Sequence, residues 1–212
     1  NQSILSPTNM LPIQDQKSNG FGRSVVQLGN LLVIGAYNES YNGRYVGSVY
    51  IYKFDQDGFA QPISKILPHD FTNDQDLNDS VNLRFGRAIE IKEKKAGMAS
   101  IFVSAYHDGA GSVYEFDLDK NGTANFINKI RPPDGNDGDR YGISIESSEN
   151  FLFVGAYENS NFDLNESGAF YTYDLPDLIT DKNKSLYNPV TQEVISDELA
   201  SKSNTSTAYI FF

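Results

Sequence analysis

Apolar and polar positions along this chain sort into short runs rather than long faces. Leu31 to Tyr37 is a continuous apolar run, the pattern of a strand buried on both sides. The shorter, β-branched run Ser24 to Gln27 precedes it. Val49-Tyr50-Ile51-Tyr52-Lys53-Phe54 follows, β-branched and aromatic as strands prefer. Asp55-Gln56-Asp57-Gly58 is turn chemistry, and Gln61 to Leu67 then predicts a fourth, more polar strand. No segment sustains a 3.6-residue period. The best helical candidate is Thr191 to Ala200, where the period is poorly kept.

The same order of blocks occurs three times. Phe21-Gly22-Arg23-Ser24-Val25, Leu32-Val33-Ile34-Gly35-Ala36-Tyr37 and Gly47-Ser48-Val49-Tyr50 form the first set. Phe85-Gly86-Arg87-Ala88-Ile89, Ile101-Phe102-Val103-Ser104-Ala105-Tyr106 and Gly111-Ser112-Val113-Tyr114 form the second. Tyr141-Gly142-Ile143-Ser144-Ile145, Leu152-Phe153-Val154-Gly155-Ala156-Tyr157 and Gly168-Ala169-Phe170-Tyr171 form the third. Asn125 to Arg131 repeats the fourth strand, with Lys129-Ile130-Arg131-Pro132 answering Lys65-Ile66-Leu67-Pro68. The sets start 64 and then 56 residues apart, so the length difference falls in loops.

Four short strands with polarity rising outward make the blade of a β-propeller. The predicted class is all-β: a propeller, or a propeller segment, of four-stranded antiparallel blades. The blades are expected at about 21–68, 85–132 and 141–180, within a single domain over 1–212. Small residues at Gly22, Gly35 and Ala36 and their repeats would let blades approach. Phe21, Phe85 and Tyr141 would fill the space between them.

Composition narrows the partners. Seventeen basic against 28 acidic residues give a net charge of −11, which argues against nucleic acid and against anionic membrane surfaces. No apolar run approaches the roughly 20 residues needed to span a bilayer, so no membrane insertion is expected. Thirteen Tyr and 14 Phe are too many for a disordered chain. The absence of Cys removes disulfides, thiolate metal sites and cysteine nucleophiles together. No basic and apolar leader opens the sequence, so a secretion signal is expected to be removed or never present.

The Phe-Gly blocks at 21 and 85, Gly-Ala at 35 and 155, and Gly-Ser-Val-Tyr at 47 and 111 resemble the FG-GAP repeat of integrin α-subunit propellers and many bacterial surface proteins. The likeness spans roughly residues 21–174. It implies an extracellular propeller, usually of seven blades, used in adhesion or ligand binding. It also implies a calcium loop between the first two strands in the integrin type. Here those positions are Leu28-Gly29-Asn30, Lys92 to Gly97 and Ser147 to Asn150, without converging carboxylates. That pattern resembles the metal-free bacterial variety, although the Trp usual on its fourth strand is missing. The resemblance therefore tilts toward a bacterial, secreted or surface protein. Asn-x-Ser/Thr sequons at Asn1, Asn38, Asn78, Asn121, Asn165, Asn183 and Asn204 would matter only in a eukaryotic lineage.

Candidate chemistry is confined to loops. Asp117-Leu118-Asp119-Lys120-Asn121-Gly122 has the alternating oxygen ligands and glycine of half a calcium loop, so Asp117, Asp119 and Asn121 are candidate Ca2+ ligands. Position twelve is Asn128 rather than a bidentate Glu, and Asp55-Gln56-Asp57-Gly58 holds the same place in the first repeat, which favours a plain hairpin turn. Two acidic loops, with Asp70, Asp74, Asp76 and Asp79 in one and Asp134, Asp137 and Asp139 in the other, lead into Phe-Gly or Tyr-Gly blocks and should share one rim. Tyr41, Tyr45, Phe162 and Tyr187 lie among Asn and Gly, good material for loop recognition or for packing back on the blade. Tyr41, Tyr45, Asp74, Asp76, Asp137, Asp139 and Phe162 are thus the candidate ligand-binding residues. His69 and His107 share no repeated position, and Gly-x-Ser-x-Gly is absent, so no catalytic set is marked out.

The ends carry partial repeats. Thr205 to Phe212 resembles a third strand, and Ile4 to Ile13 precedes Phe21 as fourth strands precede later blocks. Segments 1–20 and 181–212 would then form a partial or shared blade. Three outcomes follow: a four-bladed ring, an open stack, or part of a larger ring with blades from another chain or a second copy. The resemblance favours the last. The function expected is a non-catalytic binding or adhesion module for a protein or glycan. The alternatives are an enzyme with an acidic axial pocket and a structural repeat of a large surface protein.

Overall fold

A computed structural model of the chain describes residues 20–41, 43–71, 82–94, 98–160 and 167–175. All elements among these residues are strands. The first sheet is built from β1 (Phe21–Leu28), β2 (Leu31–Ala36), β5 (Ser48–Phe54) and β6 (Ala60–Ile66) in that order. A two-residue hairpin of β3 (Ser40–Tyr41) and β4 (Arg44–Tyr45) sits in the loop between β2 and β5. The second sheet runs β7 (Phe85–Glu93), β8 (Ala99–Ala105), β9 (Ser112–Leu118) and β10 (Ala124–Ile130). The third has β11 (Ser144–Ser147), β12 (Phe151–Ala156) and β13 (Ala169–Asp174). Every pairing is antiparallel, so each sheet is a meander of the propeller-blade kind. The helical candidate near 191–200 and the terminal segments 1–19 and 181–212 lie outside the described residues.

Alternation explains the stacking. In a strand, successive side chains point to opposite faces, so a strand apolar at every position must be covered twice. All six residues of β2 and all seven of β8 are buried. Leu31, Val33, Val49 and Ile51 from one face of the first blade pack on Ile89, Ile101, Val103 and Phe116 of the second. Phe102 and Val113, on the opposite face of the same second blade, pack on Leu152, Val154, Tyr171 and Tyr173 of the third. The fourth strands are far more exposed, with β6 buried only at Ile66. First strands lie innermost: β7 touches β1 on one side and β11 on the other.

Phe85 and Tyr141 take the expected place between blades, whereas Phe21 packs edge-on to Tyr50 and Tyr52 of its own blade. Phe85 is fully buried, edge-on to Tyr114 at 5.3 Å and to Phe116 at 6.2 Å. Tyr141 is equally buried, edge-on to Tyr171 at 5.2 Å, and its hydroxyl lies 2.8 Å from that of Tyr173. Their backbones stitch consecutive blades together. The Phe85 N–H donates to Val46 O and the Tyr141 N–H to Ala110 O, each at 2.9 Å, forming parallel bridges at Gly47 and Gly111.

Close approach at these joints accounts for two of the repeated glycines. At Gly111, φ is 105° and a Cβ would stand 2.1 Å from Tyr141 O. At Gly86, φ is 89° and a Cβ would stand 2.6 Å from Ser48 O. Both conditions admit only glycine. Close approach does not extend to every block: nothing lies within 4 Å of a Cβ at Gly22, where the positive φ alone is the requirement. The block also forces the ladder out of register between Phe21 and Val25 and between Phe85 and Ile89.

Candidate functional site at the inner mouth of the blades

The meander sorts the loops. Strand-two-to-three loops and the segments leading into first strands gather at one end of the stack, here called the mouth. The strand-one-to-two turns and the strand-three-to-four hairpins gather at the other.

Beneath the mouth each blade carries a polar cluster built from repeated positions. In the first, the carboxylate of Glu39 is completely buried. It accepts from Ser48 Oγ, from the Tyr50 hydroxyl at 2.9 Å and from Lys65 Nζ at 2.6 Å. The ammonium also stands 4.9 Å from the ring centroids of Tyr41 and Tyr50. Burial works to lower the pKa of Lys65, but its bonds to Glu39, Tyr41 and Tyr50 outweigh it and raise the value. Burial pushes the Tyr50 hydroxyl up to about 12, which keeps it a donor.

The second blade repeats the plan with an added partner. Asp108 accepts from Ser112 Oγ at 2.8 Å and pairs with Lys129 at 2.8 Å and Arg131 at 3.0 Å. Tyr114 donates to Asp70 Oδ1 at 2.6 Å, and Lys129 pairs with the same carboxylate. Asp70 follows the last strand of the preceding blade, so this tyrosine latches one blade to the next. The third blade does likewise: the Tyr171 hydroxyl donates to Asp134 Oδ1 at 2.8 Å. Burial, followed by the facing aspartate, raises both tyrosine hydroxyls well above their usual range. Asn159 replaces the loop carboxylate here, and its Nδ2 donates to Asp139 Oδ2 at 2.9 Å.

Above these clusters the mouth carries aromatic and cationic side chains beside the acidic Asp137 and Glu158. The guanidinium of Arg84 lies 4.5 Å from the Tyr45 ring centroid and 6.0 Å from that of Tyr37. Arg87 lies 6.0 Å from the same Tyr37 ring. Tyr45 and Tyr157 are 41% and 56% exposed, enough for either ring to meet a partner. Arg140 Nε pairs with Glu158 at 3.0 Å. Burial and the adjacent Arg140 and Arg84 depress the His107 imidazole to about 4, so it stays neutral at ordinary pH.

A family model described as FG-GAP repeat matches residues 12–52 and 125–173. The chain carries FG-GAP repeats. No curated protein matches it. The match at 125–173 begins in β10 and ends in β13, so the FG-GAP unit is offset from the blade. It joins the outer strand of one blade to the three inner strands of the next, and the Asp134–Tyr171 latch falls inside it.

The structure separates the candidate residues that the sequence grouped. Asp117, Asp119 and Asn121 lie at the end opposite the mouth. Asp117 pairs with Lys94. Asp119 Oδ1 accepts the backbone N–H groups of Asn121 at 2.9 Å and Thr123 at 2.8 Å. Asp55 does the same for Asp57 and Phe59, at 3.0 and 2.8 Å, so the two hairpins share one turn device. Among the described residues no group of three or more His, Asp or Glu side chains gathers in a ligand set. Tyr41 packs back, tilted against Phe71 with centroids 5.5 Å apart, while Tyr45 remains open. Asp137 is exposed on the mouth, beside a groove of about 380 Å³. Asp139 lines the same groove but is only 3% exposed and holds Asn159, an internal group more than a contact surface. Asp74, Asp76, Asp79, Phe162 and Tyr187 lie outside the described residues. His69 stacks flat on Phe126 at 4.0 Å, in the outer cleft between the first two blades.

Sequence reasoning missed the latches and the clusters. Extending the Lys-Ile-x-Pro alignment by two residues would have matched Asp70 with Asp134. Reading beyond Ala-Tyr would have aligned Glu39, Asp108 and Asn159.

Proposed function

We propose that this FG-GAP chain is a non-catalytic recognition module of a secreted or cell-surface protein, and that its ligand, a protein or a glycan, docks at the mouth. The observation that carries this reading is the layering of that end. Exposed Tyr45 and Tyr157 and the neighbouring arginines stand on loops fixed from below by buried clusters and inter-blade latches. Rigid support beneath aromatic loop residues keeps the entropy cost of binding low. The non-catalytic reading has its own support: Glu39, Asp70, Asp108, Asp134 and Asp139 are all engaged in structural bonds. Further blades from another chain or a second copy would complete the ring, and the particle mass in solution tests that part.

Binding to panels of extracellular-matrix proteins and of glycans tests the whole. Loss of a captured ligand in Tyr45→Ala/Tyr157→Ala, with retention in the outer-edge variant Ile63→Asn, is the expected result. Loss in Ile63→Asn alone would overturn the assignment of the mouth.

A further inference from the structure

The mouth gathers several of the chain's arginines. The chain has six arginines, and four of them, Arg23, Arg84, Arg87 and Arg140, belong to the segments that begin the first strands. Arg140 is paired with Glu158, and Arg131, beyond the second blade, with Asp108. Among the described residues no carboxylate pairs with Arg23, Arg84 or Arg87. In a chain with 28 acidic and 17 basic residues, three unpaired guanidiniums in one place run against the average.

Two further observations concern the same group of residues. Arg84 Nε is buried and has no hydrogen-bond partner, a desolvated donor whose cost goes unrecovered. Arg84 is also held in the left-handed backbone region, at φ 58°, by the bond from its N–H to Tyr45 O at 3.2 Å. Arg87 is half-buried and close enough to Arg23 for each charge to oppose the other: burial and then Arg23 lower its pKa. Tyr37 lies 6.0 Å from each guanidinium.

We propose that Arg84 and Arg87, with Arg23 at the edge, form a fork that receives a carboxylate displayed on an acidic peptide segment of the ligand. The inference rests on the reading of the mouth as the binding face. A guanidinium presents paired N–H donors that match a planar carboxylate. The chain's own Arg131 and Arg140 show the same pairing with Asp108 and Glu158.

The test uses the whole chain and three probes: acetyl-tetra-aspartate amide, its tetra-asparagine counterpart, and free succinate, with inorganic phosphate as a competitor. Titrations are followed by calorimetry and by the arginine Nε–H resonances in NMR spectra of the unaltered protein. The expected result is saturable binding of the aspartate peptide, none of the asparagine peptide, and a shift of the Arg84 and Arg87 resonances. Affinity should fall at least tenfold in Arg87→Gln and stay unchanged in Lys120→Gln. Succinate binding without peptide binding would keep the carboxylate fork but overturn the peptide source. Absence of saturation with every carboxylate, tighter binding of phosphate, or undiminished binding in Arg87→Gln with silent arginine resonances would overturn the proposal. A panel ligand lost in Tyr45→Ala/Tyr157→Ala yet kept in Arg87→Gln would leave the mouth as the binding face and remove only the fork.

Discussion

Substitution of Lys65 by Met isolates the buried cluster of the first blade. The change keeps the length and apolar stem of the side chain and deletes the ammonium. Glu39 is then left fully buried without this cationic partner. Removing one member of a buried ion pair costs about 3–5 kcal/mol, because the other charge stays desolvated. Two features reduce that figure here. The Lys65 side chain is 22% exposed, so water reaches the pair from one side. Ser48 Oγ and the Tyr50 hydroxyl continue to donate to Glu39. The expected loss is therefore about 2–3 kcal/mol. For a domain near 200 residues that corresponds to about 5–10 °C in Tm. Urea and thermal unfolding of Lys65→Met, beside the exposed control Lys120→Met, would measure it. The double variant Lys65→Met/Glu39→Gln should recover a substantial part, since a neutral amide needs no counter-charge. A Lys65→Met protein within about 0.5 kcal/mol of the control would refute the argument, because it would mean that Glu39 is effectively solvated.

Gly111→Ala should cost about 3 kcal/mol or more, from the left-handed backbone and from overpacking against Tyr141 O, whereas Gly58→Ala, with open space around its Cβ, should cost about 1 kcal/mol; comparative denaturant melts decide. The depressed His107 value means that the unfolded chain takes up a proton near pH 6.5 and the folded chain only near 4, so its contribution is complete above 6.5 and lost as pH falls toward 4. Wild type should thus lose more stability than His107→Gln between pH 7.5 and 5, and parallel profiles would count against a buried neutral imidazole. Asp70 behaves in the same sense, in the carboxylate range. Burial raises its pKa, but Lys129 and Tyr114 lower it further, so its stabilisation is present above the ordinary carboxylate value and disappears below it, a loss that Asp70→Asn should lack in melts at pH 4.5 and 3. Calcium at millimolar concentration should leave Tm unchanged, with Asp119 acting on its own turn; a rise that vanishes in Asp119→Ala would instead place an ion in that hairpin.

The sequence by itself determined the strands, their order and the aromatic-glycine joints, because each depends on chemistry local to a few residues. An apolar run such as Leu31–Ala36 must be covered on both faces wherever it goes. Tertiary structure decided which acids are internal. Asp70 and Tyr114 are 44 residues apart and meet only because one blade ends where the next presents its third strand. The same stacking buries Asp139, which composition alone would place in a solvated loop. It also brings Arg23 of the first blade close to Arg87 of the second, the same position of successive Phe-Gly-Arg blocks, with Arg84 and Arg87 both beside Tyr37. Charge count is a property of the chain, whereas desolvation and pairing are properties of position, and only the packing of blade on blade assigns positions.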